Sequence, residues 1–136
     1  MAAGNKFNQF MADIYNGVHN VGSHTIKAYL SNTLPVASNS IKANIAEITA
    51  GNGYTAGGVT IPITSSSQTS GNYSLVAGAD PIITATGPIG PFRYVIFYND
   101  TPASKPLIQW YDCGQSITML AGETFTIDSS TLRSAS

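Results

Sequence analysis

The chain has 136 residues, of which 43% are hydrophobic and only 10% charged, and its net charge is −1. This length predicts one domain, or one domain with an arm, and the hydrophobic content excludes a disordered chain. The few basic residues are dispersed and matched by acidic ones, which argues against binding of nucleic acid by counterion release. Since soluble domains usually carry roughly 25–35% charged surface residues, the low charge favours a surface that touches other protein, with a neutral soluble monomer as the alternative.

The first residues follow a helical period. Apolar side chains recur at i, i+3, i+4 and i+7 and form one stripe, which consists of Phe7, Phe10, Met11 and Ile14. Asn5 stands where a helix start would be capped and Gly17 where the helix would end. The stripe packs either on the chain's own sheet or, as an arm formed by residues 1–22, on a neighbouring subunit, and it is our first candidate protein-interaction site.

The next segments combine one strand, a short helical segment and a glycine-rich loop. Alternation over residues 24–30 predicts a half-buried strand, and residues 40–48 predict one or two helical turns. Residues 51–58 hold four glycines, but a predicted strand at 59–64 follows them, where a phosphate-binding loop would require a helix. We interpret residues 51–58 as a loop with positive φ angles, with Tyr54 as its anchor and as a further candidate contact.

The remainder alternates short strands with turn clusters, which is typical of an antiparallel sandwich or barrel. Strands are predicted at 73–77, 81–86, 92–98, 107–112, 116–120 and 124–128, with a polar loop at 65–72. Bulky side chains occupy both faces of residues 92–98, with Phe92, Tyr94, Ile96 and Tyr98 on one face, so we expect this strand to be central. The strand at 107–112 is expected to return from it as a hairpin, and the last two strands are expected to form another.

These elements predict a mainly β fold. We expect an antiparallel, jelly-roll-like β-sandwich over residues 23–128, with the short amphipathic helix in the arm at 1–22 and a flexible polar tail at 129–136. Since the N-terminus lacks the continuous apolar region of a signal peptide, and no segment approaches the roughly 20 apolar residues that span a bilayer, we expect synthesis in a reducing cytoplasm and no membrane association.

No residue pattern predicts catalysis. The single cysteine, Cys113, excludes an internal disulfide and a cysteine-based zinc site and is interpreted as structural. His19 and His24 lack the spacing of a helical metal motif and are expected in an exposed loop. The acidic residues mostly fall in predicted turns, and the aromatic residues are interpreted as core rather than as a platform that stacks sugars or nucleotides. The sequence therefore predicts no enzyme, no metal and no cofactor.

Five segments resemble small structural proteins encoded in the virion gene clusters of tailed bacteriophages. They lie at residues 31–37, 47–58, 89–101, 107–112 and 122–126, within a resemblance that covers roughly residues 24–128. The most specific element is the sequence Gly-Asn-Gly-Tyr-Thr-Ala-Gly-Gly at 51–58. By analogy with β-sandwich cement proteins, the resemblance implies a non-enzymatic decoration protein on the outer capsid surface of the virion, which binds the major capsid protein and copies of itself as a homo-oligomer. A tail, baseplate or adaptor component and a carbohydrate-binding sandwich are the alternatives.

Overall fold

The computed structural model describes residues 5–129, which contain one α-helix, one 3₁₀ turn and nine strands. In chain order the elements are β1 (Asn5–Lys6), α1 (Asn8–Tyr15), β2 (Ile26–Ser31), the 3₁₀ turn (Lys42–Asn44), β3 (Val59–Thr60), β4 (Ile63–Thr69), β5 (Asn72–Ala77), β6 (Ile82–Thr84), β7 (Ile89–Asn99), β8 (Leu107–Met119) and β9 (Thr124–Thr126). The protein is mainly β, with antiparallel sheets and one short N-terminal helix, and the predicted fold class is confirmed.

Five strands form the main sheet, in the order β1-β8-β7-β2-β3, with antiparallel pairing throughout. β7 lies between β8 and β2, and its bulky side chains are buried on both faces, so the prediction of a central strand is confirmed. Leu107 pairs with Tyr98, which also confirms the predicted hairpin between β7 and β8.

One face of the main sheet is largely hydrocarbon, and we call it the apolar face. Its buried side chains are Ile26, Ala28, Leu30, Phe92, Val95, Phe97, Ile108 and Tyr111. Two separate ribbons, β4–β5 and β6–β9, pack against this cluster through Ile63, Leu75, Ile83 and Phe125. The ribbons therefore form a second layer, which gives the sandwich-like packing of sheet on strands.

The opposite face is rich in phenols, and we call it the tyrosine face. Tyr29, Tyr94, Ile96, Tyr98 and Leu107 are buried there, with Trp110 partly buried beside them. The residues that cover it come from irregular backbone: Phe7 lies between β1 and α1, and Ile45 follows the 3₁₀ turn. Tyr29 points to this face while Ile26, Ala28 and Leu30 point to the other, as the alternation in β2 predicts. The expectation that this strand is only half-buried is wrong, because irregular segments cover the second face and bury Tyr29 fully.

Phe92 lies on the apolar face, so its predicted place beside Tyr94 is wrong. The pairing of β7 with β8 shifts register between these two residues, and an irregularity of this kind breaks strict alternation. The Phe92 ring instead packs edge-on against Phe125, with 5.0 Å between the ring centroids.

The predicted polar loop at 65–72 is also wrong, because β4 occupies most of it and pairs with β5. Ser70 and Gly71 form the turn, with φ angles of 52° and 84°, which suits the two-residue turns that join twisted strands. Most side chains of β4 are exposed, so the segment lacks the alternating apolar pattern that would have revealed it.

The last predicted hairpin has the wrong pairing. β8 continues to Met119, which pairs with Ile89 of β7, whereas β9 pairs with β6. The Ala85 amide donates to the Glu123 carbonyl and thereby ties the segment before β9 to the end of β6. The helical segment at 40–48 contains only the 3₁₀ turn, and of the predicted tail, residues 130–136 lie outside the described residues.

Candidate functional site

The helical stripe lies against the chain's own core. Phe7 is 1% exposed and its ring centroid is 4.6 Å from that of Trp110, while Phe10 is 3% exposed and belongs to the apolar-face cluster. Ile14 packs partly against the same cluster, and Met11 is half-buried. Of the two arrangements that the sequence left open, the structure has the helix on its own sheet, so neither phenylalanine is available to a neighbour in this conformation.

The start of α1 also differs from the prediction. Asn5 does not cap the helix, because it belongs to β1 and pairs with Trp110. The helix begins at Asn8, whose amide donates to the Ala37 carbonyl at 2.8 Å. Gly17 follows the helix with φ 78°, as expected for a residue that ends it. β1 and α1 are therefore fixed to the main sheet at both of its faces.

Tyr54 anchors the glycine-rich loop, but from inside. The residue is 3% exposed, its hydroxyl donates to Glu47 Oε2 at 2.6 Å, and it accepts from the Leu30 amide at 3.1 Å. Burial and the hydrogen bond to Glu47 raise the pKa of Tyr54 well above its usual value. The side chain therefore joins the loop to β2 and is not available for contacts outside the chain, whereas Asn52, Thr55 and Ala56 of the same loop are exposed.

Glu47 is the residue that the sequence reading missed. Its carboxylate also accepts from the Gly57 amide at 2.7 Å and from Lys42 Nζ at 3.0 Å. Lys42 Nζ in turn lies 4.7 Å from the centroid of the Tyr29 ring, within the range of a cation–π interaction. One carboxylate thus holds the loop, the 3₁₀ turn and the tyrosine face together.

A cleft of about 510 Å³ adjoins this network. It is lined by Ile41, Lys42, Ala43, Gly57, Tyr98, Asp100, Ala103, Ser104 and Lys105. Its charges are already paired, since Asp100 Oδ1 lies 2.9 Å from Lys105 Nζ and Asp100 Oδ2 lies 3.4 Å from Lys27 Nζ. Although partial burial acts to raise it, the pKa of Asp100 lies below its usual value because both lysines hydrogen-bond to the carboxylate. An ionic ligand would have to displace these pairs.

Cys113 and the two histidines occupy different places. Burial, with a further effect of Asp112, raises the pKa of the Cys113 thiol to about 11, so the thiol is protonated at neutral pH. His19 and His24 meet at the side chain of Asn99 rather than lying apart in an exposed loop, and the His19 side chain is 1% exposed. Among residues 5–129, no group of three or more His, Cys, Asp and Glu side chains is placed to bind a metal ion.

The aromatic residues considered as a stacking platform are mostly enclosed. Tyr94, Phe97, Tyr98 and Tyr111 are buried, and Trp110 is half-buried. The exposed large apolar side chains of the described residues are Tyr15, Leu34, Val36, Val76, Ile82 and Leu120. Leu34 and Val36, which are 66% and 54% exposed, share the loop after β2. These positions, rather than the helical stripe, offer apolar contact to another protein.

Comparison of the chain with family models, curated proteins and solved structures finds no match. Within the part of the chain that the structure describes, no helix is both long and apolar enough to cross a membrane. The proposal for function therefore depends on the residues, their charges and their exposure.

Proposed function

We propose that this protein is a non-enzymatic structural component of a tailed-bacteriophage virion, namely a decoration or cement protein of the outer capsid surface. In this role it binds across major capsid subunits and beside copies of itself, and it adds contact area that stabilises the head. The proposal is supported by the sequence resemblance and by the way in which the molecule uses its charges.

The observation that carries the proposal is the internal pairing of charge. Of the five lysine and arginine residues within positions 5–129, four contact carboxylates: Lys27 and Lys105 at Asp100, Lys42 at Glu47, and Arg93 at Asp112. Because these four cations already have partners within the chain, a protein that covers this surface need not supply counter-charges for them.

The surface that remains is made of hydroxyl groups and scattered apolar side chains. On the outer side of the β6–β9 ribbon, Ile82, Thr84, Thr124 and Thr126 are exposed. β4 likewise presents mainly Ser, Thr and Gln side chains. Such a surface suits weak contacts that are repeated over a symmetric shell, because simultaneous binding at several sites gives a strong association overall.

The direct test locates the protein in the particle. Virions are separated into heads and tails, the protein is quantified in each fraction by mass spectrometry, and its density is sought in a cryo-EM reconstruction of the intact capsid. We expect it in the head fraction, with ordered density on the outer surface across capsid-subunit joints. Presence only in tails would replace the proposal with a tail or baseplate role, and absence from both fractions would overturn it.

A binding assay with expanded empty capsids tests the contact surface. Leu34→Ser combined with Val36→Ser should weaken capsid binding at least several-fold, because both side chains are more than half exposed. Ile82→Ser removes a comparable exposed side chain from the β6–β9 ribbon and tests that surface separately, so a loss of binding in this variant alone would place the contact on the ribbon and not on the loop after β2. Binding to a glycan array without capsid association would favour the carbohydrate-binding alternative.

A further inference from the structure

The side-chain amide of Asn99 lies between the two histidines of the chain. Asn99 Nδ2 is 3.1 Å from His19 Nδ1 and 2.9 Å from His24 Nδ1. The Thr101 amide donates to Asn99 Oδ1 at 3.1 Å, which fixes the orientation of the Asn99 amide so that its NH₂ group faces the rings. Since Asn99 is fully buried, water does not compete for these contacts.

This arrangement determines the protonation of both rings. An NH₂ group only donates, so Nδ1 of each histidine accepts, and its proton is on Nε2. The Asn20 amide also donates to His24 Nδ1, at 3.2 Å, which supports the same assignment. A proton on His19 Nδ1 would therefore place two donors against each other, at that nitrogen and at Asn99 Nδ2.

The His19 ring has no other hydrogen-bond partner among the described residues that would stabilise its protonated form. Its ring packs edge-on against Phe10, with 5.3 Å between the centroids, and its Nε2 is buried without a hydrogen-bond partner among the described residues. The nearest carboxylate oxygen, Asp13 Oδ2, lies 3.9 Å from that nitrogen, while Asp13 Oδ1 accepts from Gln9. Asp13 therefore favours the positive charge of a protonated His19, but it lies on the Nε2 side of the ring and does not accept the hydrogen that protonation adds at Nδ1.

The same contacts attach the connector between α1 and β2, residues 16–25, to the end of β7. Besides the two histidines, Thr25 takes part: its amide donates to Thr101 Oγ1 at 2.9 Å, and its carbonyl accepts from the Asp100 amide at 2.8 Å. Loss of the Asn99 bridge therefore removes both histidine attachments of the connector and frees His19 to leave the edge of Phe10, while the contacts of Thr25 remain.

We propose that the Asn99 bridge is an acid-operated latch, in which protonation of His19 releases the connector and the end of α1 from the sheet. The proton comes from solvent and binds Nδ1, and the hydrogen bond from Asn99 Nδ2 to that nitrogen breaks. The carboxylate that faces the bridge is that of Asp13 from α1, whereas the carboxylate of the neighbouring Asp100 is held by Lys27 and Lys105.

The direction of the effect follows from the His19 pKa. Burial lowers it below 6.5, Asp13 acts to raise it, and His24 lowers it further. The conformer with a released connector therefore binds a proton more readily than the conformer with an intact Asn99 bridge. As the pH falls below about 6.5, the equilibrium shifts towards the released conformer. For one histidine, the equilibrium constant between the released and the bridged conformer rises by up to about tenfold for each pH unit of acidification, until the pH reaches the pKa of the bridged conformer.

Hydrogen exchange measured by mass spectrometry tests the latch on the full chain. Protection factors, corrected for intrinsic exchange, are compared between about pH 7.5 and 5.0 for residues 16–25 and for the central part of β7. We expect protection of the connector to fall several-fold or more on acidification while that of β7 stays unchanged. An equal loss in both segments would mean global acid unfolding and would overturn the proposal.

Two variants identify the titrating groups. His19→Asn together with His24→Asn keeps an acceptor near each Nδ1 position but cannot titrate, so the acid response of the connector should disappear. Asn99→Asp places a carboxylate that accepts from protonated rings, so acid should then protect the connector. A double variant that keeps the full acid response would assign it to carboxylates instead.

The wild-type protein supplies a test that does not depend on how variants fold. Because the chain has only two histidines, long-range nitrogen–proton NMR spectra report both rings without ambiguity. We expect the proton on Nε2 of both rings at neutral pH, and release of the connector to coincide with protonation of His19. A proton on Nδ1 of either ring at neutral pH would contradict the latch.

Discussion

The two faces of the main sheet are covered in different ways. Ribbons β4–β5 and β6–β9 lie over the apolar face, and their backbone groups are paired with each other. The tyrosine face meets irregular backbone, whose carbonyl groups need other partners: Tyr29 donates to the Ile45 carbonyl at 3.0 Å, and Tyr98 donates to the Gly57 carbonyl at 2.7 Å. An irregular segment can thus close a core when side chains take over the hydrogen bonding that a strand provides.

The two faces also differ in the interactions that stabilise them. Truncating a hydrocarbon side chain on the apolar face removes packing alone, whereas a change at the rim of the tyrosine face also leaves buried polar groups without partners. Glu47 is the extreme case, because it accepts from Tyr54, Gly57 and Lys42 together.

The largest effect is expected at Phe97, which is fully buried on the apolar face. Phe97→Ala should lower the free energy of unfolding by about 3–5 kcal/mol, because it leaves a cavity beside Tyr111. Urea denaturation measures the change. The control, Tyr15→Ala, alters a side chain that is 82% exposed and should stay within about 0.5 kcal/mol of the wild type. A loss at Phe97 no greater than this would show that the apolar face does not depend on packing.

Two glycines with the same backbone angle provide a matched test of the irregular cover. Gly58 and Gly71 both have φ 84°. A Cβ atom on Gly58 would lie 1.8 Å from the Ala28 carbonyl oxygen, whereas a Cβ atom on Gly71 would point into open space. Gly71→Ala should cost about 1 kcal/mol for the backbone alone. Gly58→Ala should cost about 1–3 kcal/mol more, because the loop must move away from β2.

Thermal or urea unfolding of both variants decides whether the glycine-rich loop is fixed against β2. Equal losses would contradict its close approach to that strand. Hydrogen exchange at residues 51–58 should rise in the Gly58 variant and remain unchanged in the Gly71 variant.

A double-mutant cycle tests the polar network at Glu47. Tyr54→Phe leaves the buried Leu30 amide without its acceptor, and Glu47→Gln removes the charge that three donors share, so each should cost about 1–3 kcal/mol. The coupling energy between them should be at least about 0.5 kcal/mol, because their atoms are in direct contact. Strict additivity would mean that the hydrogen bond between them contributes nothing to stability.

Local patterns predicted much of this architecture. The alternation in β2, the bulky faces of β7 and the hairpin between β7 and β8 can be read directly from neighbouring residues, because side-chain direction in a strand depends on position alone. The face of Phe92 could not be read in this way, because a register shift set by pairing with β8 changes it. The pairing of β9 with β6 brings together residues about forty positions apart and has no local signal.

The role of Glu47 was hidden for a related reason. In the sequence it is one acidic residue between a helical segment and a loop, and nothing nearby marks it as half-buried. Its partners stand at positions 42, 54 and 57, and only the folded loop directs all three donors to one carboxylate. A glycine-rich loop that contains a tyrosine and follows an acidic residue closely is the one signal that would have suggested it.

The smallest expected effect appears at alkaline pH, where the buried hydroxyl group of Tyr29 on the tyrosine face makes the stability depend on pH. Burial, with a further effect of Glu47, raises the pKa of Tyr29, so the folded protein keeps a proton that the unfolded chain releases above about pH 10. The free energy of unfolding must therefore fall as the pH rises, by about 0.8 kcal/mol for this tyrosine at about pH 10.5.

Tyr29→Phe should be less stable than the wild type by a constant amount from about pH 7 to 9. Above about pH 10 the difference between the two proteins should become smaller, because phenylalanine has no proton to lose. Melting temperatures of both proteins across this range measure the narrowing. Parallel curves above pH 10 would show that the Tyr29 hydroxyl ionises as easily in the folded protein as in the unfolded chain, which is incompatible with its buried hydrogen bond to Ile45.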